Sequence, residues 1–260
     1  MKIGNKIFEN YTYVMAIINL TPDSFWAESR KDADDVLFAV ERAQKDGAAV
    51  IDIGAQSTRP GYKEISAQEE IARFEKPLAA IKKRFDIPLS VDTYFPQSAR
   101  AALELGADMI NDIRGLAHDE DMAKTVAEFN ASVCIMHNSK TQLSGDIWGA
   151  IESFLAKNAQ KALNFGIEKD KIILDGGIGF AKTREQNFEL LYGYERLKKL
   201  GYPLLLGASR KSMFGGKVED RLAQTLESTR LAAEKGVLFV RVHDVKENAE
   251  IIKKTYDKMH

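Results

Sequence analysis

Two apolar runs near the carboxyl end of the chain turn basic as they finish: Pro203-Leu-Leu-Leu-Gly-Ala-Ser-Arg-Lys211 and Leu238-Phe-Val-Arg-Val-His-Asp244. Cations gathered at such ends suit phosphate, and Lys211, Arg241 and His243 form a candidate phosphate site. Other short apolar runs end on Asn19, Asp52, Asp92, Asn111 and Asp175. Asp and Asn present fixed acceptor and donor edges, which suit a flat heterocycle bearing amino and amide groups. Any one of these side chains alone could equally cap a loop or make an ion pair. Together they argue for a site, because each unpaired buried ion costs about several kcal/mol unless a ligand or a partner compensates. The ligand they describe has a heterocycle at depth and a phosphate near the rim.

The elements that would carry these groups alternate regularly. Apolar strand-like runs at Val14–Leu20, Val50–Ala55, Leu89–Thr93, Met109–Ile113, Ser132–His137, Lys171–Gly176, Leu204–Ser209 and Val237–His243 are separated by helix-period segments. The helices are predicted at Asp32–Asp46, Ser66–Arg84, Pro96–Leu105, Asp119–Asn130, Trp148–Phe165, Arg184–Leu200, Asp220–Lys235 and Val245–Lys258. Gly47, Gly106, Gly166, Gly201 and Gly236 follow helical segments as left-handed caps would. Eight βα units in 260 residues predict an α/β fold, one (β/α)8 TIM barrel spanning 1–260. The longest βα connections follow the first, second and fifth strands.

Strand side chains alternate faces, so parity decides which groups can meet inside the barrel mouth. Phe239, Arg241 and His243 share one face, as do Ser90 and Asp92, and as do Ser132, Cys134 and Met136. Asn19, Asp52, Asn111, Asp175 and Lys211 have the parity to join them, Lys211 on condition that its strand continues that far.

Bulk composition narrows the remaining possibilities. Formal charge is -1, with 37 basic and 38 acidic side chains, which gives no reason to expect a nucleic-acid partner. No apolar stretch is long enough for a membrane span, and no secretory signal pattern opens the sequence. Cys134 is the one cysteine and lies in an apolar run, so it reads as a buried structural thiol and a cytoplasmic location is expected.

The motifs in order resemble the dihydropteroate synthase family along the whole chain. They are Asn19-Leu-Thr-Pro-Asp-Ser-Phe25, Asp52-Ile-Gly-Ala-Gln-Ser-Thr-Arg-Pro-Gly61, Ser90-Val-Asp-Thr93, Ile110-Asn-Asp-Ile113, Ile135-Met-His137, Leu174-Asp-Gly-Gly-Ile-Gly-Phe180, Ser209-Arg-Lys211 and Arg241-Val-His-Asp244. The resemblance implies condensation of 6-hydroxymethyl-7,8-dihydropterin pyrophosphate with p-aminobenzoate, giving 7,8-dihydropteroate and pyrophosphate in folate biosynthesis. It implies that Asp92, Asn111 and Asp175 pair with the pterin edges, that Lys211 also reaches the ring, and that Met136 shapes the pocket. Asn19 would bind Mg²⁺, while Arg241, His243 and Thr58 would hold the pyrophosphate. Phe25, Arg59, Pro60, Phe180, Lys211 and Ser212 would form the arylamine slot, with an anion near a helix start at Ser212. A homodimer and a sulfonamide target are implied as well.

This chain departs from the family pattern at three places. Ala27 stands where the first loop usually has a carboxylate, and Glu28 is the candidate substitute. The usual Asp-Pro-Gly is Asp175-Gly-Gly177, and the usual glycine-containing run after Met-His is Asn138-Ser-Lys140. Competing readings are a pterin-binding paralogue without synthase activity, a methyltetrahydrofolate-binding methyltransferase, and a Schiff-base aldolase using Lys211.

Overall fold

The computed structural model describes residues 1–20, 30–56 and 64–259. A short antiparallel hairpin, β1 (Lys2–Ile3) and β2 (Lys6–Ile7), precedes eight strands that close into a parallel barrel. These are β3 (Tyr13–Asn19), β4 (Ala48–Gly54), β5 (Leu89–Asp92), β6 (Met109–Asp112), β7 (Ser132–Met136), β8 (Ile172–Asp175), β9 (Leu204–Leu206) and β10 (Phe239–Val242). They run in chain order round the barrel, and β10 pairs with β3 to close it. The predicted (β/α)8 architecture is the observed one.

Helices follow the strands: α1 (Arg30–Lys45), α2 (Ala67–Arg84), α3 (Pro96–Glu104), α4 (Glu120–Glu128), α5 (Ile147–Asn164), α6 (Arg184–Tyr192), α7 (Leu222–Glu234) and α8 (Val245–Met259). Side chains that satisfy free backbone donors set several of their starts: Ser66 accepts from the Glu69 amide, Asp119 from Asp121, and Thr183 and Gln186 form a reciprocal box. All five glycines expected to cap helices have positive φ. The sixth predicted helix is not continuous: α6 stops at Tyr192 and a 3-10 segment, Tyr194–Leu200, continues it.

Two apolar layers follow from strand alternation. Even-parity residues of β3 such as Val14, Ala16 and Ile18 pack outward with the helices. Met15, Val50, Met109, Cys134, Ile173, Leu205 and Phe239 point inward and fill the lower barrel, together with Ile3 and Phe8 from the hairpin segment. Polar side chains are thereby pushed to the upper, carboxyl ends of the strands, the usual position of barrel chemistry.

Candidate active site

Parallel register sets the first row of the mouth. Asp92 pairs in register with Gly54 on one side and Asn111 on the other, and Asp175 pairs with Met136. Asp52, Asp92, Asn111 and Asp175 are all buried, and Arg241 is partly so. Arg241 lies between two carboxylates, donating from Nε to Asp52 Oδ2 at 2.5 Å and from Nη2 to Asp92 Oδ2 at 2.7 Å. Asn111 Nδ2 donates to the same Asp52 oxygen at 3.3 Å. Asp52 Oδ1 is buried with no hydrogen-bond partner among the described residues, an unusual state for a buried acceptor.

Charge in this row is finely balanced. Burial pushes the Asp92 carboxyl up to about 7; Arg241 and Lys211 oppose the rise, while Asp52 and Glu70 add to it. The ion pair with Arg241 does not reverse the shift, because the guanidinium is shared with Asp52. Burial pulls Arg241 down, but the two carboxylates outweigh it and hold it above its ordinary value.

Across the mouth, Asp175 is fixed by its own turn. Gly177 N–H donates to Asp175 Oδ1 at 2.7 Å, and the buried Tyr194 hydroxyl lies 3.0 Å from the same oxygen. Tyr194 in turn accepts from Gly176 N–H at 2.9 Å. Burial raises the Asp175 pKa against these hydrogen bonds and against Lys211 and Lys182. Glycine at 177 is required by geometry: φ is +72°, and a Cβ there would lie 1.9 Å from the His137 carbonyl oxygen.

Lys211 faces both halves of the site. Its ammonium sits 4.3 Å from the centre of the Phe180 ring. Burial pulls its pKa down to about 8, Arg241 adds to the fall, and Asp175 and Asp92 oppose it. β9 ends at Leu206 and Arg210 has φ +55°, so Lys211 reaches the site by a turn and not by the continued strand that its parity assumed. That turn is held by Arg210 paired with Asp244 and by Arg221 Nη1 donating to the Arg210 carbonyl at 2.9 Å.

The remaining predicted residues divide three ways. Met136 packs with Tyr94 and Ile113, and Phe180 borders the same cluster. His243 Nδ1 lies 3.0 Å from Ser209 Oγ at the end of β10, beside Arg241 in sequence and partly exposed. Asn19 ends β3 next to Gly54, where a Cβ would come within 3.0 Å of Asn19 Oδ1. Ser212 is exposed and opens only a three-residue 3-10 turn, Ser212–Phe214, so the helix start expected there is not one on which an anion site can be built. Phe25, Glu28, Thr58, Arg59 and Pro60 lie outside the described residues.

Three neighbours went unread in the sequence. Tyr194 lies inside a predicted helix, His137 in a motif that drew attention to Met136, and Lys182 two residues past the motif ending at Phe180. Lys182 Nζ contacts His137 Nδ1 at 3.0 Å and donates to the carbonyls of Gly177 and Phe180.

Fold and site together define a (β/α)8 barrel whose mouth gathers buried carboxylates and an asparagine beside a cluster of cations. Residues 15–243 match the family described as pterin binding enzyme. The chain is 45% identical to a dihydropteroate synthase of Clostridium beijerinckii, over 98% of each sequence. Among solved structures, a dihydropteroate synthase of Clostridium difficile in the presence of pteroic acid superposes with a TM-score of 0.93 at 40% identity, covering 97% of this chain and 98% of that one. A Yersinia pestis dihydropteroate synthase with a sulfonamide drug complex gives a TM-score of 0.93 at 33% identity, covering 100% and 98%. This chain belongs to the pterin binding enzyme family, in its dihydropteroate synthase branch.

Proposed function

We propose that this chain condenses 6-hydroxymethyl-7,8-dihydropterin pyrophosphate with p-aminobenzoate, releasing 7,8-dihydropteroate and pyrophosphate. The observation that carries the reading is the row Asp92, Asn111 and Asp175, with Lys211 and Arg241 beside it. The carboxylates accept from the ring's amino and amide hydrogens, Asn111 supplies the paired donor and acceptor, and Met136 lies against the ring. Arg241 and His243, with Thr58, hold the pyrophosphate; Arg241 has donors beyond those it spends on Asp52 and Asp92.

The methylene–oxygen bond breaks with its electron pair leaving on pyrophosphate, and the electron-rich dihydropterin carries the positive charge that remains. Buried carboxylates beneath the ring favour that charge. The arylamine nitrogen then forms the new bond and loses its proton to solvent. Phe180 and Lys211 wall the arylamine slot with Ser212, Phe25, Arg59 and Pro60, and a sulfonamide of similar shape would compete there.

No group of three or more His, Cys, Asp or Glu able to hold a metal is found among the described residues; Asn19, at the end of β3, offers one amide oxygen, packed close against Gly54, where a Cβ would come within 3.0 Å of it. One such oxygen fits Mg²⁺ that keeps its waters and shares substrate phosphates. Asn19 would hold it, and when bound it would neutralise charge on the leaving group.

We further propose a single barrel unit across 1–260, acting as a homodimer; the exposed Tyr192, flanked by Phe188 and Leu231 between α6 and α7, offers an apolar contact. Among the described residues, no helix is long and apolar enough to cross a membrane. A cytoplasmic location suits the free buried thiol of Cys134. The test is pyrophosphate release by wild type, Lys211→Ala and Glu28→Ala. Release requiring both p-aminobenzoate and Mg²⁺, and lost in Lys211→Ala, is expected; pterin binding without turnover would instead mark a paralogue, and full rate in Glu28→Ala would remove that residue from the machinery.

A further inference from the structure

The segment after β8 folds back over the end of β7, and one side chain ties the fold together. Lys182 Nζ lies 3.0 Å from His137 Nδ1, 2.9 Å from the Gly177 carbonyl oxygen and 3.0 Å from the Phe180 carbonyl oxygen. Burial pulls the Lys182 pKa down to about 7, with Asp175 opposing the fall and Lys211 adding to it. Its protonated form has three hydrogens, and here each has its own acceptor. His137 is 2% exposed, and burial with Lys182 beside it pushes its pKa down to about 3, so the ring is neutral and its Nδ1 is free to accept. Phe180 N–H also donates to the Gly177 carbonyl at 3.2 Å, closing the turn from the other side. The product of this turn is the position of the Phe180 ring, 4.3 Å from Lys211 Nζ.

We propose that Lys182 is a positioning residue for the arylamine half of the reaction, holding Phe180 against Lys211 through the three acceptors it gathers. The inference rests on the reading of Phe180 and Lys211 as walls of the arylamine slot. Lys182 holds the carbonyl side of the turn, not the Gly177 N–H that fixes Asp175. Its effect is therefore selective: without it the Phe180 end of the turn loosens, while Asp175 keeps its bonds to Gly177 N–H and Tyr194, and Asp92 and Asn111 keep theirs.

The experiment is steady-state pyrophosphate release by the full chain, with p-aminobenzoate varied at saturating pterin pyrophosphate and then the converse. Wild type, Lys182→Met, Phe180→Ala and the double variant are compared, with thermal midpoints. Lys182→Met is expected to raise the arylamine KM on the order of tenfold and to change the pterin KM by less than about twofold. The double variant is expected to be no worse than Phe180→Ala alone, because both act at one point. An unchanged arylamine KM in Lys182→Met, with a raised one in Phe180→Ala, overturns the inference and leaves the slot intact. An unchanged arylamine KM in Phe180→Ala overturns the slot and the inference with it, and equal rises in both KM values overturn the selective role. Should Lys182→Met fail to fold, His137→Leu removes a single acceptor and decides: a raised arylamine KM alone supports the clamp, and an unchanged one overturns it.

Discussion

At the scale of single residues, the site rests on carboxylates kept at the edge of ionisation. Asp92 is pushed up to about 7 first by burial, then by Asp52 and Glu70, against Arg241 and Lys211. Because the ionised form accepts the ring's hydrogens, pterin affinity should rise roughly tenfold from pH 6 to pH 8 as this group loses its proton. Above about pH 8 Lys211 loses its charge and affinity should fall, giving a bell-shaped profile. Calorimetric titration of the pterin substrate across this range checks the prediction; Asp92→Asn should shift the acid limb, and an acid limb identical to wild type would count against it. The same shift has a cost in stability. The unfolded chain ionises first, so Asp92 makes the fold less stable as pH climbs from the ordinary carboxylate range to about 7. Parity alone puts Asp52, Asp92, Asn111 and Arg241 round one mouth: Asp52, Asn111 and Arg241 each follow an inward apolar residue by two positions, and Asp92 follows buried Ser90. That Arg241 would be shared by two carboxylates was not legible, because pairing across strands depends on register and rotamer.

At the scale of elements, helix ends were readable where a glycine's own conformation sets them and unreadable where a distant side chain does. Gly201 and Gly236 cap as left-handed residues whatever surrounds them. The stop after Tyr192 has another cause: a Cβ on Gly193 would lie 2.7 Å from the Trp148 ring, so α5 and not the local sequence fixes that break. The turn after β8 combines both kinds of constraint. Alanine at 177 would carry a positive φ and a clash with the His137 carbonyl, and the Gly177 N–H that fixes Asp175 would be displaced. Gly177→Ala should therefore cost about 2 kcal/mol or more and weaken pterin binding with it. Gly176→Ala should cost less, since its φ is not positive and its Cβ would meet only side chains, Tyr194 and Leu190, at 3.1 Å and beyond. Denaturant unfolding and pterin binding of the two variants separate these cases; equal losses would show that the turn is held by something other than the conformation of Gly177.

At the scale of the whole molecule, the barrel has two ends with different duties. The upper mouth collects buried charge, and the lower end is sealed by the hairpin of β1 and β2, which the sequence reading did not detect. Strands of two residues carry no readable period, and Lys2 and Lys6 alternate with apolar neighbours too briefly to register. Their effect is nonetheless large, because Ile3 is 0% exposed and Phe8 6% exposed among Met15, Val50, Met109, Cys134, Ile173 and Leu205. Phe8 also meets Phe239 edge-on with ring centres 5.0 Å apart. Truncating a side chain packed this way typically removes about 2–5 kcal/mol, through lost burial and the cavity left behind. Ile3→Ala and Phe8→Ala should each lower the thermal midpoint by roughly 4–20 °C, at about 2–4 °C per kcal/mol for a chain of this length. Neither should change the KM for pterin pyrophosphate or p-aminobenzoate, because the layer from Met15 to Phe239 separates the seal from the mouth. Calorimetric melting paired with steady-state kinetics checks both halves, and a variant that kept its midpoint but lost substrate affinity would show that the lower barrel helps shape the site.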